Sequence, residues 1–125
     1  MSASRPLQLV LCWHMHQPDY RGPDHSDYQL PWVYLHGIKD YVDMAAHLEH
    51  NENARAIVNF APVLLDQIED YSKQINDFIN HKTPIRCTLL GILAEPVLPV
   101  TREDRSKLIH DCLRANHERI IDYFE

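Results

Sequence analysis

Glycine is scarce in this sequence, with three residues among 125. Phosphate-binding loops and the nucleophile elbow of serine hydrolases both need glycines at short, fixed spacing. Gly22, Gly37 and Gly91 stand too far apart for either motif. Nucleotide binding through such a loop and serine-based ester hydrolysis at such an elbow are therefore excluded.

Cysteine and long apolar runs are also sparse. Cys12, Cys87 and Cys112 form no CxxC pair, and their odd number argues against a disulfide framework. We expect them to be reduced and buried as small hydrophobic side chains. The apolar run from Leu9 to Trp13 is too short for a membrane span or a signal segment. These features predict a cytoplasmic protein with no membrane partner.

Positive charge is in deficit, with 12 basic against 18 acidic residues and a net charge of −6. The basic residues are scattered along the chain, so no nucleic acid partner is expected. A chain of this length makes one domain, which buries roughly two thirds of its unfolded surface. The composition therefore indicates an ordinary globular domain with its own core.

The first half of the chain has the pattern of a βαβ unit. Residues 7–13 are almost continuously apolar, which predicts a strand buried on both faces of a parallel sheet. Residues 18–34 hold three prolines and a glycine and predict a long loop. Apolar residues recur at helical spacing over residues 36–49, and residues 54–60 predict a second strand.

The sequence predicts that the second half is mainly helical. Pro62 opens the clearest helix, whose main apolar residues step by four, three, four and three: Leu64, Ile68, Tyr71, Ile75 and Phe78. Leu65 and Ile79 widen this stripe. Residues 83–100 favour a helix or irregular structure over a third strand. Thr101 and Asp104 form a capping box for a last helix, whose apolar face is Ile109, Leu113, Ile120 and Phe124. No closing residue follows that helix, so we expect the chain to be part of a longer one.

Two histidines follow the first strand. Successive side chains alternate faces in a strand, so His14 and His16 are expected on one side. Pro18 ends the strand, which puts both at its carboxyl end, where parallel sheets and barrels bind ligands. The pair followed by Gln17 fits a binding site as well as it fits a polar strand end without a role.

Asn59 comes at the end of the second strand and would lie beside the histidines if the two strands are neighbours. Its amide both donates and accepts hydrogen bonds, which suits a ligand rich in hydroxyl groups. The equally weighted alternative is a cap for the following helix.

The loop over residues 18–34 combines aromatic and short acidic side chains, a composition found in sugar sites and also in well-packed loops. Its aromatic residues are Tyr20, Tyr28, Trp32 and Tyr34. No pair of acidic residues stands out as catalytic. The HxH spacing of His14 and His16 also opens the site of several metal-dependent hydrolases, but no further residue has a recognisable ligand spacing.

Three blocks in order carry a family resemblance: "HMHQPDY", "LPWVYLHGIKDYVDMAAHLE" and "IVNFAPVLLDQIEDY". Together they resemble the N-terminal part of glycoside hydrolase family 57, which contains α-amylase-like enzymes, 4-α-glucanotransferases and branching enzymes. The resemblance covers roughly residues 7–80 and continues more weakly through "LRANHERIIDYF".

The resemblance implies an α/β fold: a partial (β/α)7 barrel, present here as its first βαβα units with a further C-terminal helix. It also implies a retaining mechanism with a Glu nucleophile and an Asp acid/base. In the family both come from strands downstream, so residues 1–125 are expected to be an N-terminal fragment of the catalytic domain. Such a fragment is expected to be inactive alone and to associate with copies of itself.

Residue by residue, the resemblance assigns His14 and His16 to the sugar subsite, with Gln17 completing the motif. Trp32 and Asn59 match less specifically and are further substrate-binding candidates. The implied ligand is an α-glucan or maltooligosaccharide, with no cofactor and no metal. Two alternatives remain: a metal-dependent barrel hydrolase and a non-catalytic carbohydrate-binding module.

Overall fold

A computed structural model describes residues 7–95, 97 and 99–113. The elements in chain order are β1 (Leu11–Met15), α1 (Trp32–His36), a π-helical turn (Gly37–Tyr41), α2 (Val42–His50), β2 (Ala56–Phe60), α3 (Pro62–His81), α4 (Thr88–Ala94) and α5 (Arg102–Cys112). Strand, helix, strand and helix follow one another as the sequence predicts. The barrel implied by the resemblance is not itself shown by these residues.

The sheet has two parallel strands. Leu11 stands opposite Ala56, and Met15 stands opposite Phe60. The backbone N–H of Ala61 donates to the Met15 carbonyl at 2.9 Å, which extends the pairing by one bond. The pairing confirms the predicted neighbourhood of the two strands.

β1 begins at Leu11, four residues later than the predicted start of the first strand. Residues 7–10 form no strand, because ladder pairing begins only where β2 lies opposite, at Leu11. The predicted burial on both faces is wrong. Ile57 is 58% exposed and Leu11 44%, since no other described element covers these side chains.

The first helical stretch begins at Trp32, inside the segment predicted as loop. Pro31 occupies the cap position, and its carbonyl accepts the Leu35 N–H at 3.0 Å. A proline is tolerated at this point because the first helical turn needs no donor there. Val33 is 1% exposed, so its burial favours starting the helix early.

The twenty-residue α3 confirms the predicted helix after Pro62. Leu64 and Tyr71 are buried, as the apolar stripe predicts, but Leu65 and Ile79 are exposed. The stripe is therefore narrower than the sequence indicates. Two glutamines complete the buried face instead, Gln67 and Gln74.

The core lies where α1, α3 and α4 meet the ends of the strands. α1 packs directly on α3. The core residues are Met15, Tyr28, Val33, Ala61, Leu64, Tyr71, Cys87 and Leu90. Cys87 is buried as expected, but Cys12 and Cys112 are exposed, because Cys12 lies in the exposed first part of β1 and Cys112 ends α5, which has no buried residue.

Within residues 83–100 the described part contains one helix, α4, and irregular structure on either side of it, as the sequence favours. The Thr101 hydroxyl oxygen accepts the Asp104 N–H at 3.1 Å, which confirms the predicted cap of α5. Ile109 and Leu113 are exposed. Ile120 and Phe124, the other two residues of that predicted face, lie outside the described residues. No helix in the described part of the chain is long and apolar enough to cross a bilayer.

Candidate functional site

The two motif histidines lie on one side of the chain, as strand alternation predicts. His14 is in β1 and His16 follows its last residue, and their rings stack with centroids 5.8 Å apart and planes 12° apart. Met15, between them, turns into the core and is 6% exposed. Core packing of Met15 therefore directs both rings away from the core.

Asn59 stands directly opposite His14 in the ladder. The His14 Nδ1 and Asn59 Oδ1 atoms are 2.6 Å apart. An amide oxygen only accepts, so Nδ1 carries the hydrogen and Nε2 of a neutral ring is the acceptor. The helix-cap alternative for Asn59 is wrong, because Ala61 holds the cap position and makes no side-chain cap bond.

Gln17 ties the motif to a tyrosine on each side. The Tyr20 hydroxyl donates to Gln17 Oε1 at 2.8 Å, and Gln17 Nε2 donates to the Tyr41 hydroxyl oxygen at 3.4 Å. Desolvation raises the pKa of Tyr20, so this hydroxyl remains a donor over the neutral range. The side chain of Gln17 therefore links the loop to the π-helical turn.

These residues border an open cleft of about 420 Å³. Its walls are Cys12, Trp13, His14, Met15, His16, Gln17, His36, Tyr41 and Met44. The last three were not predicted. The helical periodicity of residues 36–49 includes Tyr41 in the apolar stripe, and only the packing of the segment between the two strands shows that it borders the cleft.

Trp32 lies elsewhere. It lines a second cavity of about 580 Å³ together with α4 and α5 residues such as Leu89 and Lys107. Two other loop aromatics pack on Tyr71: the ring centroid of Tyr28 lies 4.2 Å from that of Tyr71, and that of Tyr34 lies 5.9 Å away. For these two the well-packed loop is the better interpretation.

The loop after the histidines is held by a fully buried glutamine on α3. Gln67 Oε1 accepts the Tyr20 N–H at 3.0 Å, and Gln67 Nε2 donates to the Pro18 carbonyl at 2.9 Å. One side chain thus satisfies the backbone on both sides of Asp19. This clamp fixes the backbone at the end of the HxHQP motif and directly after it.

A charged cluster supports the same turn. Arg21 donates to both carboxylate oxygens of Asp19, at 2.9 and 2.8 Å, and pairs with Asp66 at 2.5 Å. The Arg21 guanidinium lowers the pKa of Asp19 to about 2, chiefly through the hydrogen bonds it donates. Asp19 is therefore ionised at any pH near neutrality.

Asp70 anchors the far end of the loop. It accepts from the Tyr28 hydroxyl at 2.9 Å and from Gln74 at 2.9 Å, and it pairs with Arg86. Arg86 also donates to the His25 carbonyl at 2.9 Å. Burial, together with Asp70, raises the pKa of Tyr28, which stays protonated. The polar face of α3 therefore organises the whole loop.

Within the described residues there is no group of three or more His, Cys, Asp or Glu side chains arranged to hold a metal ion. The cleft instead offers imidazole and phenol groups beside apolar carbon. Such a lining matches a ligand that carries both hydroxyl groups and apolar faces.

Comparison with known protein families gives a match that covers most of the chain. The sequence profile of glycosyl hydrolase family 57 matches residues 10–124. No significant match to a curated protein or to a solved structure was found. The match spans the histidine motif, both strands and the helices described above, so the chain belongs to glycosyl hydrolase family 57.

Proposed function

We propose that this chain is the N-terminal part of a retaining enzyme acting on α-glucans, either a hydrolase or a 4-α-glucanotransferase. His14, His16, Gln17 and Asn59 form part of its sugar-binding surface. The observation that carries the proposal is the stacked histidine pair at the carboxyl end of β1, with His14 oriented by Asn59 from β2.

The chemistry follows from the orientation of His14. With Nδ1 bonded to Asn59, its Nε2 accepts a hydrogen bond from a sugar hydroxyl. Contacts to ring hydroxyls that strengthen in the oxocarbenium-like transition state contribute several kcal/mol in glycosidases. These side chains therefore bind and orient the sugar, and they do not form or break the glycosidic bond.

The catalytic carboxylates belong, in this proposal, to chain beyond these 125 residues. A retaining enzyme needs two carboxyl groups about 5–5.5 Å apart on either side of the scissile bond. A complete barrel needs on the order of 250 residues. We therefore expect the chain alone to have no turnover and to form one part of a (β/α)7 barrel. We also propose that it lies in the cytoplasm.

We propose Trp32 as a more distant sugar contact. It opens α1 and lines the cavity next to α4, separately from the histidine cleft. An indole face there suits a further glucose unit of a longer chain.

The test is a calorimetric titration of the 125-residue chain with maltotetraose. We expect binding by the wild type, and an affinity reduced roughly tenfold in His16→Ala and Asn59→Ala, the scale of one or two lost hydrogen bonds. His47→Ala, at an exposed position on α2, is the matched control and should bind as wild type does. Equal binding by wild type and His16→Ala contradicts the proposal, as does absence of binding.

Two further measurements, of turnover and of metal content, address the other two hypotheses. A carbohydrate-binding module and an enzyme fragment both bind maltotetraose, but only the fragment gains turnover when the downstream chain is supplied. A metal-dependent hydrolase requires stoichiometric zinc, manganese or nickel in protein purified without added metal. The described residues supply no third ligand for that hypothesis.

A further inference from the structure

A third histidine borders the cleft that holds His14 and His16. His36 is the last residue of α1, and the cleft wall includes it together with Tyr41. The proposed function uses neither residue as a sugar contact. Their position on the same cleft raises the question of what they do there.

The π-helical turn explains why both side chains reach the cleft. In a regular α-helix each residue turns by about 100°, so residues five apart point about 140° away from each other. Over Gly37–Tyr41 the helix instead closes i to i+5 bonds, which widens the turn. The His36 and Tyr41 rings consequently stand on the same side, with centroids 6.4 Å apart.

The ring of His36 is held in place by the same turn. Its Nδ1 is hydrogen-bonded to the carboxylate of Asp40, four residues further along the chain. A carboxylate accepts only, so Nδ1 donates, and Nε2 is the atom that can face a ligand. His14 is arranged the same way by Asn59. His14 and His36 therefore each donate the Nδ1 hydrogen to an acceptor of the protein.

Stability does not account for this pair. The side chains of His36 and Asp40 are 41% and 45% exposed, and a contact with that exposure contributes little to folding even where both groups are charged. π-helical turns also interrupt the regular hydrogen-bond ladder and occur frequently at functional sites. A wide turn that orients an exposed imidazole over a cleft fits ligand contact better than it fits helix stabilisation.

We propose that His36 is a third sugar-binding histidine of the cleft and that Asp40 positions it by accepting its Nδ1 hydrogen. Tyr41, on the same side as His36, accepts a hydrogen bond from Gln17 Nε2 at 3.4 Å and so connects this side of the cleft to the histidine motif. This inference rests on the proposed function, since it adds a contact to the same sugar site. It assigns that contact to α1, whereas His14 and Asn59 belong to the sheet.

The experiment follows the histidine side chains directly. Long-range proton–nitrogen NMR spectra of the nitrogen-15-labelled chain resolve the imidazoles, and single substitutions assign His14, His16, His36 and His47. Maltotetraose is then added, with cellotetraose as the β-linked control. We expect the ring signals of the three cleft histidines to shift with maltotetraose, while that of His47 stays unchanged.

A pair of variants separates positioning from folding. Asp40→Ala should weaken maltotetraose binding about three- to tenfold, the scale of one hydrogen bond, because the ring loses its orientation. Asp40→Asn should bind within about twofold of wild type, since an amide oxygen still accepts from Nδ1. Unchanged backbone amide spectra check that both variants are folded.

The outcomes separate this inference from the proposed function. If His14 and His16 respond and His36 does not, the inference is overturned and the proposed function stands. Equal affinities for Asp40→Ala and wild type also overturn it. If no histidine responds to maltotetraose, the proposed function and the inference fail together.

Discussion

Single side chains set how the histidine motif is presented. Met15 is buried and turns His14 and His16 outward, and Asn59 sets which nitrogen of His14 carries the hydrogen. Period-two alternation predicts the first effect from sequence alone. The second depends on register, because a shift of one residue would place Val58 opposite His14 instead of Asn59.

Asp19 carries a pH dependence at this scale. Its pKa is about 2 in the folded chain against an ordinary value of 3.8, because Arg21 hydrogen-bonds to the carboxylate. The stabilisation is complete above pH 4 and is lost as the pH falls from about 4 to 2, since protonation then removes the charge. Because the carboxylate is partly solvated, we expect an effect of about 1 kcal/mol.

Urea unfolding of wild type and Asp19→Asn at several pH values between 2 and 6 measures this effect. The difference in free energy of unfolding should be largest above pH 4 and should shrink towards pH 2. A difference that stays constant over the whole range would show that the Arg21 contact does not depend on ionisation of Asp19.

At the scale of elements, α3 is the support for the loop that follows the motif. Gln67 clamps the backbone at Pro18 and Tyr20, and Asp70 holds Tyr28 and Arg86. Amphipathic periodicity finds the helix but assigns glutamine and aspartate to its solvent face. The contacts of Gln67 and Asp70 could not be predicted, because they depend on which groups the loop brings to α3.

Replacing Gln67 with leucine tests the clamp. Leucine fills a similar volume but leaves the Tyr20 N–H and the Pro18 carbonyl without partners, which costs about 1–3 kcal/mol for a buried group. Denaturation by urea should show that loss, and hydrogen exchange of the Tyr20 amide should become faster. Glu69→Leu, on the exposed side of α3, is the control. Equal stability of both variants would contradict the clamp.

At the scale of the whole molecule, the two-stranded sheet exposes apolar side chains. The exposed apolar residues of the strands are Leu11, Ile57, Val58 and Phe60, and Leu7, Leu9 and Val10 precede β1 in the chain and are also exposed. Unpaired strand edges next to apolar surface favour pairing with another chain. We therefore propose that the isolated chain associates with copies of itself through this surface.

Sedimentation velocity at increasing concentration tests the association. The wild type should show a mean mass that rises with concentration, and Ile57→Lys should remain closer to the monomer because it places a charge on the sheet. Ile79→Lys is a matched control, since Ile79 is 61% exposed and Ile57 58%, but Ile79 lies on α3. A monomer at every concentration contradicts self-association, and equal effects of the two variants place it elsewhere.

The sequence by itself determined the order of elements, the side of the strand on which His14 and His16 stand, and the family. These follow from local periodicity, from the proline after the motif and from three blocks of residues in order. Only the tertiary structure decided that Asn59 meets His14, that Gln67 holds the loop, and that a π-helical turn brings His36 and Tyr41 to the cleft. Those contacts join residues far apart in the chain or depend on a change of helical winding, and neither property is encoded by the spacing of apolar residues.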